Sequence, residues 1–489
     1  MFLPLRILIT EVVFHVKPCF ILIFVNYSCA ERIVDTMKSE FLDNVYFIGI
    51  GGISMSSLAL ILKNRGCKVA GFDFKRSENT ELLEKNGIKV NYQFSEANQD
   101  GFNTVVYTAA IAADDKELVF AKERGAKIYT RAELLGDIVS GYKHSIGVAG
   151  THGKSTTTGM LSGIMQSAKS DATVLAGAVI PALGSTYRAG NGDIAVFEAC
   201  EYKNSYHAMR PTIRLVLNCE FDHVDFFGSM ENVIKSFKQY MDTDSETGEN
   251  VVIINADCKN TLFAAQGIDA KVYTFSVSDK GADFYADNIT EVDGYMEFDI
   301  YACGEFYCKA KPSVPGMHNV SNSVGAAAAA YVCGIPGEAV SEGLQSFCGV
   351  KRRFEKLGKT AKGAVVIDDY AHHPDEVTAT LTAAKKVCKG NVYCIFKPHT
   401  YTRFEALIED FAKSLSIADK VVMADIYAAR EQNTSGISAA DIRKYLPDAV
   451  YVGGFEEIAG YIKENANDKD MVITMGAGDI YKAAPMILE

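Results

Sequence analysis

The sequence contains no tryptophan, no Cys-x-x-Cys pair and no block of basic residues. The missing tryptophan excludes nothing. Twelve cysteines occur, and the two closest, Cys303 and Cys308, have the spacing of neither a zinc knuckle nor a disulfide framework. We therefore expect reduced, buried thiols in a cytoplasmic protein. Because the net charge is −12, neither nucleic acid nor stable membrane association is expected.

The composition, 48% hydrophobic and 22% charged, is that of a soluble globular protein. A length of 489 residues suffices for about three domains. The oligomeric state, monomer or homodimer, is left open by the sequence. The first 43 residues stand apart as an extension. Residues 18–30 are apolar but too short to span a bilayer, and Met37 leads straight into the first predicted strand, residues 45–50. We favour a start codon assigned too early over a genuine targeting segment.

The most informative segment is residues 147–155, which read Gly-Val-Ala-Gly-Thr-His-Gly-Lys-Ser after an apolar predicted strand. A glycine-rich turn before a helix points several backbone N–H groups at one spot, which suits phosphate. Lys154 would reach the β- and γ-phosphates, and Ser155 would ligate magnesium. Val148 stands where the usual P-loop has its first glycine, so the match is imperfect. The predicted ATP contacts in this loop are Gly150, Thr151, His152, Gly153, Lys154, Ser155 and Thr156.

A second glycine-rich loop follows the first predicted strand. Residues 49–55 read Gly-Ile-Gly-Gly-Ile-Ser-Met, and Asp73 ends the next predicted strand. This pattern is typical of the opening of a dinucleotide-binding fold. The loop alone leaves open whether the ligand is a nicotinamide cofactor or another nucleotide. Thr108 ends a further predicted strand and would lie at the same sheet edge.

Polar residues follow most of the remaining predicted strands. Glu198 ends one strand, and Asp-His-Val-Asp at residues 222–225 lies just beyond another. In open α/β sheets ligands bind at the carboxyl ends of strands, so these groups should face the P-loop. Glu198 suits magnesium, whereas His223 could equally be an ordinary hydrogen-bonded loop histidine. Four strands of the last third also end in polar, charged or glycine residues, at 368–374, 397–403, 425–431 and 476–479.

Nine motifs in this order resemble the Mur ligases over residues 44–482, most closely the members that use L-alanine. They are the two glycine loops, Glu-Ala-Cys-Glu at 198–201, residues 222–225, His318-Asn319 with Asn322, Arg-Arg-Phe at 352–354, and residues 368–374, 398–403 and 425–431. The resemblance implies an α/β fold of three domains. These are a Rossmann-like UDP-binding domain (44–140), a central P-loop ATPase domain (141–348) and a C-terminal Rossmann-like amino-acid-binding domain (349–489).

The resemblance also implies an ATP-dependent ligase that joins L-alanine to the lactyl carboxylate of UDP-N-acetylmuramate through an acyl phosphate. The implied catalytic residues are Lys154, Glu198, His223, Arg353 and Asp369, and the implied magnesium ligands are Ser155, Glu198 and His223. Asn319 and Asn322 complete the ATP site. The UDP-sugar residues would be Gly49, Gly51, Gly52, Ser54, Met55, Asp73 and Thr108. The amino-acid residues would be Tyr370, His372, His399, Arg403 and Arg430.

Two departures and three alternatives accompany this interpretation. The loop at residues 177–190, before Glu198, matches the muramate-contacting region of the family only loosely. Thr400 stands where many relatives carry a basic residue, so the alanine carboxylate falls to Arg403 or Arg430. A recycling ligase would add a whole tripeptide to the same sugar nucleotide. A nicotinamide-dependent oxidoreductase explains the first glycine loop but gives Lys154, Glu198 and His223 no purpose. A non-catalytic nucleotide sensor would lack the lysine or the metal ligands, and both are present.

Overall fold

The computed structural model describes residues 42–108, 110–243, 250–429 and 431–489. They form three α/β units, each built on its own sheet with a parallel core, so the predicted fold class is confirmed. The division at residues 140 and 348 remains our proposal. Residues 1–41 of the extension, with Met37, lie outside the described residues. Within the described ranges, no helix has the length and apolar character needed to cross a membrane.

The first unit is a five-stranded parallel sheet in the order β3-β2-β1-β4-β5 with helices around it. Its strands are β1 (Asn44–Ile48), β2 (Lys68–Phe72), β3 (Lys89–Asn91), β4 (Thr104–Tyr107) and β5 (Lys127–Thr130). Its helices are α1 (Ile53–Asn64), α2 (Glu78–Lys85), α3 (Lys116–Glu123) and α4 (Arg131–Ser140). The central strand β1 is apolar along its buried length, because a parallel strand covered by helices needs apolar side chains on both faces.

The second unit is a ten-stranded mixed sheet in the order β15-β14-β13-β12-β11-β10-β6-β9-β7-β8. Its strands are β6 (His144–Ala149), β7 (Thr173–Ile180), β8 (Ser185–Arg188), β9 (Ile194–Glu198), β10 (Ile213–Val216), β11 (Val251–Asn255), β12 (Lys271–Ser276), β13 (Phe284–Val292), β14 (Tyr295–Ala302) and β15 (Glu305–Ala310). Its helices are α5 (Lys154–Ser167), α6 (Val224–Phe227), α7 (Met230–Met241), α8 (Lys259–Ala264), α9 (Met317–Val332) and α10 (Gly337–Ser346). The P-loop strand β6 lies between β9 and β10, so the residues after these two strands flank the P-loop.

The third unit is a six-stranded sheet in the order β16-β17-β21-β18-β19-β20. Its strands are β16 (Glu355–Lys359), β17 (Val365–Asp369), β18 (Val392–Phe396), β19 (Lys420–Met423), β20 (Val450–Tyr451) and β21 (Met471–Met475). Its helices are α11 (Pro374–Val387), α12 (Tyr401–Ala406), α13 (Ile408–Leu415), α14 (Phe455–Asn465) and α15 (Ala483–Leu488). Because β17, β21, β18 and β19 are parallel neighbours, the four polar segments that follow them share one sheet edge, as the sequence predicted.

The P-loop helix α5 is held against α10 by unusually close backbone packing. Gly163 and Gly343 lie at the crossing, and a Cβ atom on Gly343 would collide with the backbone of Ile164. A backbone obstacle cannot rotate away as a side chain can, so one of the two helices would have to shift. The position of the P-loop therefore depends on this crossing.

We predict that Gly343→Ala lowers the free energy of unfolding by about 1–3 kcal/mol, the usual cost of overpacking a buried site. The matched control is Gly460→Ala in α14, where the added Cβ atom would meet nothing within 4 Å. Gly460 is exposed and helical, so alanine there should stabilise by about 0.5–1 kcal/mol. Urea unfolding followed by circular dichroism measures both. Equal stability of the two variants would contradict the proposed crossing.

Candidate active site

The P-loop presents unpaired backbone donors at the end of β6. Helix α5 begins at Lys154 after Gly153, which has a φ of 85° and provides no side-chain cap. The first N–H groups of an uncapped helix have no intrahelical acceptor and can bind an anion. A Cβ atom at Gly153 would lie 2.6 Å from Oδ1 of Asn322, so glycine is needed for this close approach. The loop thus offers backbone donors to an anion, and phosphate binding there stays a prediction.

Lys154 forms an ion pair with Glu201. Its Nζ atom lies 2.9 Å from Oε2 of Glu201, and the two side chains are only 15% and 4% exposed. Burial favours the neutral carboxyl, but Lys154 and His223 hold the pKa of Glu201 below its ordinary value. The ammonium also donates to the Thr151 carbonyl oxygen at 3.1 Å. A charged lysine is therefore fixed at the mouth of the P-loop.

Carboxylates and one histidine surround Lys154, and they lie at or beyond the ends of the strands that flank β6. Glu198 accepts a hydrogen bond from the backbone N–H of Gly177, and burial raises its pKa although the Ser155 hydroxyl and Lys154 favour the ionised form. On the other side, Nε2 of His223 lies 3.5 Å from Glu201 and 3.9 Å from Asp222. His223 has a left-handed φ of 51°, a conformation that costs energy and is frequent at functional sites. Of the residues at 222–225, only Asp222 and His223 have described side chains.

Two adjoining cavities meet at the P-loop. The first, of about 980 Å³, is lined by Lys154, Ser155, Glu198 and His223 together with residues of the first and third units. The second, of about 800 Å³, is lined by Thr156, Asn319 and Asn322 among others. Asn322 donates to Asn319 at 3.1 Å, and Asn319 donates to the Pro315 carbonyl oxygen at 2.7 Å.

Arg353 and Asp369 are the predicted catalytic residues that the third unit contributes to the cavities. Arg353 lines the two of them, whereas Asp369 lines only the second. Asp369 accepts hydrogen bonds from the backbone N–H groups of Phe354 and Ala371 at 2.7 and 2.8 Å. Burial raises its pKa to about 6, although Arg353 favours the ionised form. Asp369 therefore holds the segment that carries Arg353.

Four of the five predicted amino-acid residues lie close together. The rings of Tyr370 and His372 are 5.2 Å apart, and those of His372 and His399 are 5.9 Å apart. Arg403 lies 3.2 Å from Nδ1 of His399 and pairs with Asp222 of the second unit at 2.9 Å. Burial lowers the pKa of His399 to about 4, so the ring is neutral at pH 7. Arg430 lies outside the described residues.

The predicted UDP residues gather at the carboxyl edge of the first sheet, around Gly49 and Gly51. Gly49 has a φ of 80°, and a Cβ atom there would lie 3.2 Å from Thr108. Asp73 accepts a hydrogen bond from the Gly51 N–H at 2.8 Å, so one of its oxygens holds the glycine turn. Gly52 and Met55 belong to the turn and first helix, and Ser54 accepts from Arg131 at 3.2 Å.

Sequence reasoning missed part of the charge network. Glu201 and Asp222 were noted only as members of motifs, and Glu220 and Glu376 were not singled out at all. Nε2 of His152 lies 3.1 Å from the Glu220 carboxylate, and Nδ1 of the same ring lies 3.1 Å from the Glu376 carboxylate. Glu376 follows a proline in the first turn of α11, where an acidic residue is expected merely to stabilise the helix dipole. Its position in the sequence therefore carried no distinctive signal.

One group of possible metal ligands is less suitable than the oxygen cluster. The ligand atoms of His152, His373 and Asp375 lie within 4.8 Å of one another. Because both nitrogens of His152 already face Glu220 and Glu376, a metal ion would have to break one of these pairs. The group consequently carries no metal assignment.

Fold and site together define a nucleotide-dependent enzyme whose phosphate loop faces a cavity between three α/β units. Family models match in chain order: the Mur ligase family catalytic domain at residues 44–143, the Mur ligase middle domain at 148–330, and the glutamate ligase domain of Mur ligases at 352–478. The chain therefore belongs to the Mur ligase family.

Similar proteins agree with this assignment. The chain is 44% identical to the UDP-N-acetylmuramate–L-alanine ligase of Caldicellulosiruptor saccharolyticus, over 92% of this chain and 99% of that protein. The crystal structure of the UDP-N-acetylmuramate–alanine ligase of Thermotoga maritima matches with a TM-score of 0.75 and 27% identity, over 91% of this chain and 98% of that one. A murein peptide ligase of Psychrobacter arcticus shares the fold, with a TM-score of 0.66 and 24% identity over 91% and 98% of the two chains.

The ion pair in the P-loop leads to a stability prediction. Lys154→Met leaves Glu201 as a nearly buried carboxylate beside His223, and removing one partner of a buried pair typically costs about 3–5 kcal/mol. The double variant Lys154→Met/Glu201→Gln removes the charge as well and should recover most of that loss. Urea unfolding of the parent, both single variants and the double variant gives the coupling energy. Strictly additive losses would show that the two side chains do not stabilise each other.

Proposed function

We propose that this protein joins L-alanine to the lactyl carboxylate of UDP-N-acetylmuramate at the expense of ATP, a step in the synthesis of peptidoglycan precursors. The observation that carries the proposal is the 44% identity to an enzyme of that name over 99% of its length. The cavity of about 980 Å³ is lined by residues of all three units, so groups from each unit can meet at one place.

The substrates are assigned to the three units. UDP-N-acetylmuramate binds at the glycine loop of the first unit, with Asp73 near the uridine nucleotide. ATP binds with its base in the second cavity near Asn319 and Asn322 and its γ-phosphate at Lys154. L-Alanine binds beside Tyr370, His372, His399 and Arg403, with Arg403 or Arg430 at its carboxylate. The lactyl and γ-phosphate groups then meet in the first cavity.

The reaction runs in two steps. A lactyl carboxylate oxygen attacks the γ-phosphorus of ATP, so that an acyl phosphate forms and ADP leaves. The alanine amine then attacks the acyl carbon, and phosphate leaves through a tetrahedral intermediate. Lys154 and Arg353 stabilise negative charge on the transferred phosphoryl group, and positioning supplies most of the remaining rate enhancement. Nδ1 of neutral His399 accepts a hydrogen bond from Arg403, so its Nε2–H can donate to the bound amino acid.

The residues near Lys154 fit magnesium. Ser155, Glu198, Glu201 and Asp222 offer the hard oxygen ligands that this ion prefers. Glu198 is suited to a cation because burial raises its pKa, a penalty that a bound positive charge would offset. Ser155 and Glu198 would hold one ion, and His223 a second near the substrate carboxylate. Bound magnesium would neutralise charge on the phosphates.

The proposal is tested by phosphate release from ATP and UDP-N-acetylmuramate with L-alanine, glycine, L-serine or the tripeptide as acceptor. We expect turnover with L-alanine and a product heavier by one alanyl residue in mass spectrometry. Lys154→Ala is the control and should reduce turnover at least about 100-fold. Turnover with the tripeptide but not with L-alanine would identify the recycling ligase instead. Nicotinamide reduction without ATP would identify an oxidoreductase.

The metal assignment has its own test. Glu198→Gln removes the charge from a proposed ligand, so the magnesium concentration for half-maximal activity should rise sharply. UDP-N-acetylmuramate affinity, measured by calorimetry, should change little because the sugar nucleotide binds to the first unit. Glu409→Gln on the exposed side of α13 is the matched control. A magnesium titration of Glu198→Gln that superimposes on the parent would contradict the assignment.

A further inference from the structure

Glu376 contacts three groups that the proposed reaction uses separately. Its Oε1 atom lies 3.1 Å from Nδ1 of the P-loop histidine His152 and 3.3 Å from Arg353. Its Oε2 atom accepts from the backbone N–H of His372 at 3.0 Å and lies 3.0 Å from the Nδ1 atom of that ring. The side chain is 9% exposed, so these groups replace the water that a carboxylate would otherwise bind.

The same carboxylate lies between the two cavities. The residues that line both are His152, Gly153, Arg353 and Glu376. A nucleotide with its base in the second cavity and its γ-phosphate at Lys154 must pass this partition. Its phosphates would then compete with the Glu376 carboxylate for His152 and Arg353, because both anions are attracted to these two cations.

Helix α11 holds Glu376 in place from its far end. Lys386, in the last turn of α11, pairs with Glu291 of β13 at 2.6 Å. Val387 packs so closely against Gly294 that a Cβ atom on that glycine would collide with it. The helix is therefore in contact with the second unit at both ends, so moving α11 as a body away from the P-loop would break a second set of contacts.

We propose that Glu376 is a positioning residue that couples nucleotide binding at the P-loop to the geometry of the amino-acid pocket. The inference rests on the proposed function. Phosphate draws His152 and Arg353 from the carboxylate, and His372 remains as its partner on the amino-acid side. L-Alanine is accordingly bound best after ATP has reached the P-loop.

His152 gives this coupling a signature in pH. Burial opposes its charge, but Glu220 and Glu376 raise the pKa of His152 to about 10. The groups that face it are Glu220 beyond β10, His373 directly before α11, and Asp375 and Glu376 in the first turn of α11. The imidazolium persists below its raised pKa, so nucleotide affinity should be flat between pH 6 and 9. Losing either carboxylate lowers that pKa, and affinity should then fall as pH rises within this window.

Two variants separate coupling from simple nucleotide binding. Glu376→Gln removes a carboxylate from His152, Arg353 and His372, whereas Glu220→Gln removes the other carboxylate from His152 alone. Calorimetry with a non-hydrolysable ATP analogue and magnesium, from pH 6 to 9, should show a new loss of affinity at high pH in both variants. Only Glu376→Gln should raise the KM for L-alanine, by about fivefold or more, and make it independent of ATP concentration.

A third variant controls for loss of folding in Glu376→Gln. Glu376→Asp keeps the buried charge but shortens its reach, so it should raise the KM for L-alanine without a new pH dependence of nucleotide binding. The inference is overturned if Glu220→Gln and Glu376→Gln alter the alanine KM equally, or if Glu376→Asp leaves it unchanged. A parent enzyme that forms no alanyl product would instead refute the proposed function, while the calorimetric profiles would still report on the His152–Glu376 pair.

Discussion

The active-site structure depends on carboxylates that balance the positive charge of a cavity proposed to bind a polyanion. Two cations of the cavity lie next to carboxylates, Lys154 beside Glu201 at 2.9 Å and His152 beside Glu376 at 3.1 Å, and nearby Arg403 lies beside Asp222 at 2.9 Å. Removing a charge from water is costly unless an opposite charge replaces the solvent. These pairs let a chain with a net charge of −12 keep phosphate-binding cations in place.

The same pairs connect the units. The Asp222–Arg403 pair and the His152–Glu376 pair both join the second unit to the third. Strand order explains why they converge at the P-loop, since β9 and β10 flank β6 and deliver Glu198 and the residues beyond Val216 to either side of it. The electrostatic constraint and the sheet topology thus select one location for the chemistry.

Many elements of the fold and the P-loop could be predicted, because each depends on residues that are neighbours in the sequence. The P-loop and the strands of the parallel cores follow from apolar runs and the polar or glycine residues after them. Helix α9 begins at Met317, directly after Gly316, which has a φ of 99°. The antiparallel strands β13 to β15 were not predicted. Glu376 was missed because its partner His152 is 224 positions away.

The central claim is that the cations of the P-loop exchange carboxylates for phosphates when the nucleotide binds. It is tested most directly by a crystal structure of the protein with magnesium and a non-hydrolysable ATP analogue. The account predicts that Nζ of Lys154 leaves Glu201 for a phosphate oxygen and that Arg353 leaves Glu376. A nucleotide bound while both ion pairs keep their 2.9 and 3.3 Å distances would contradict it.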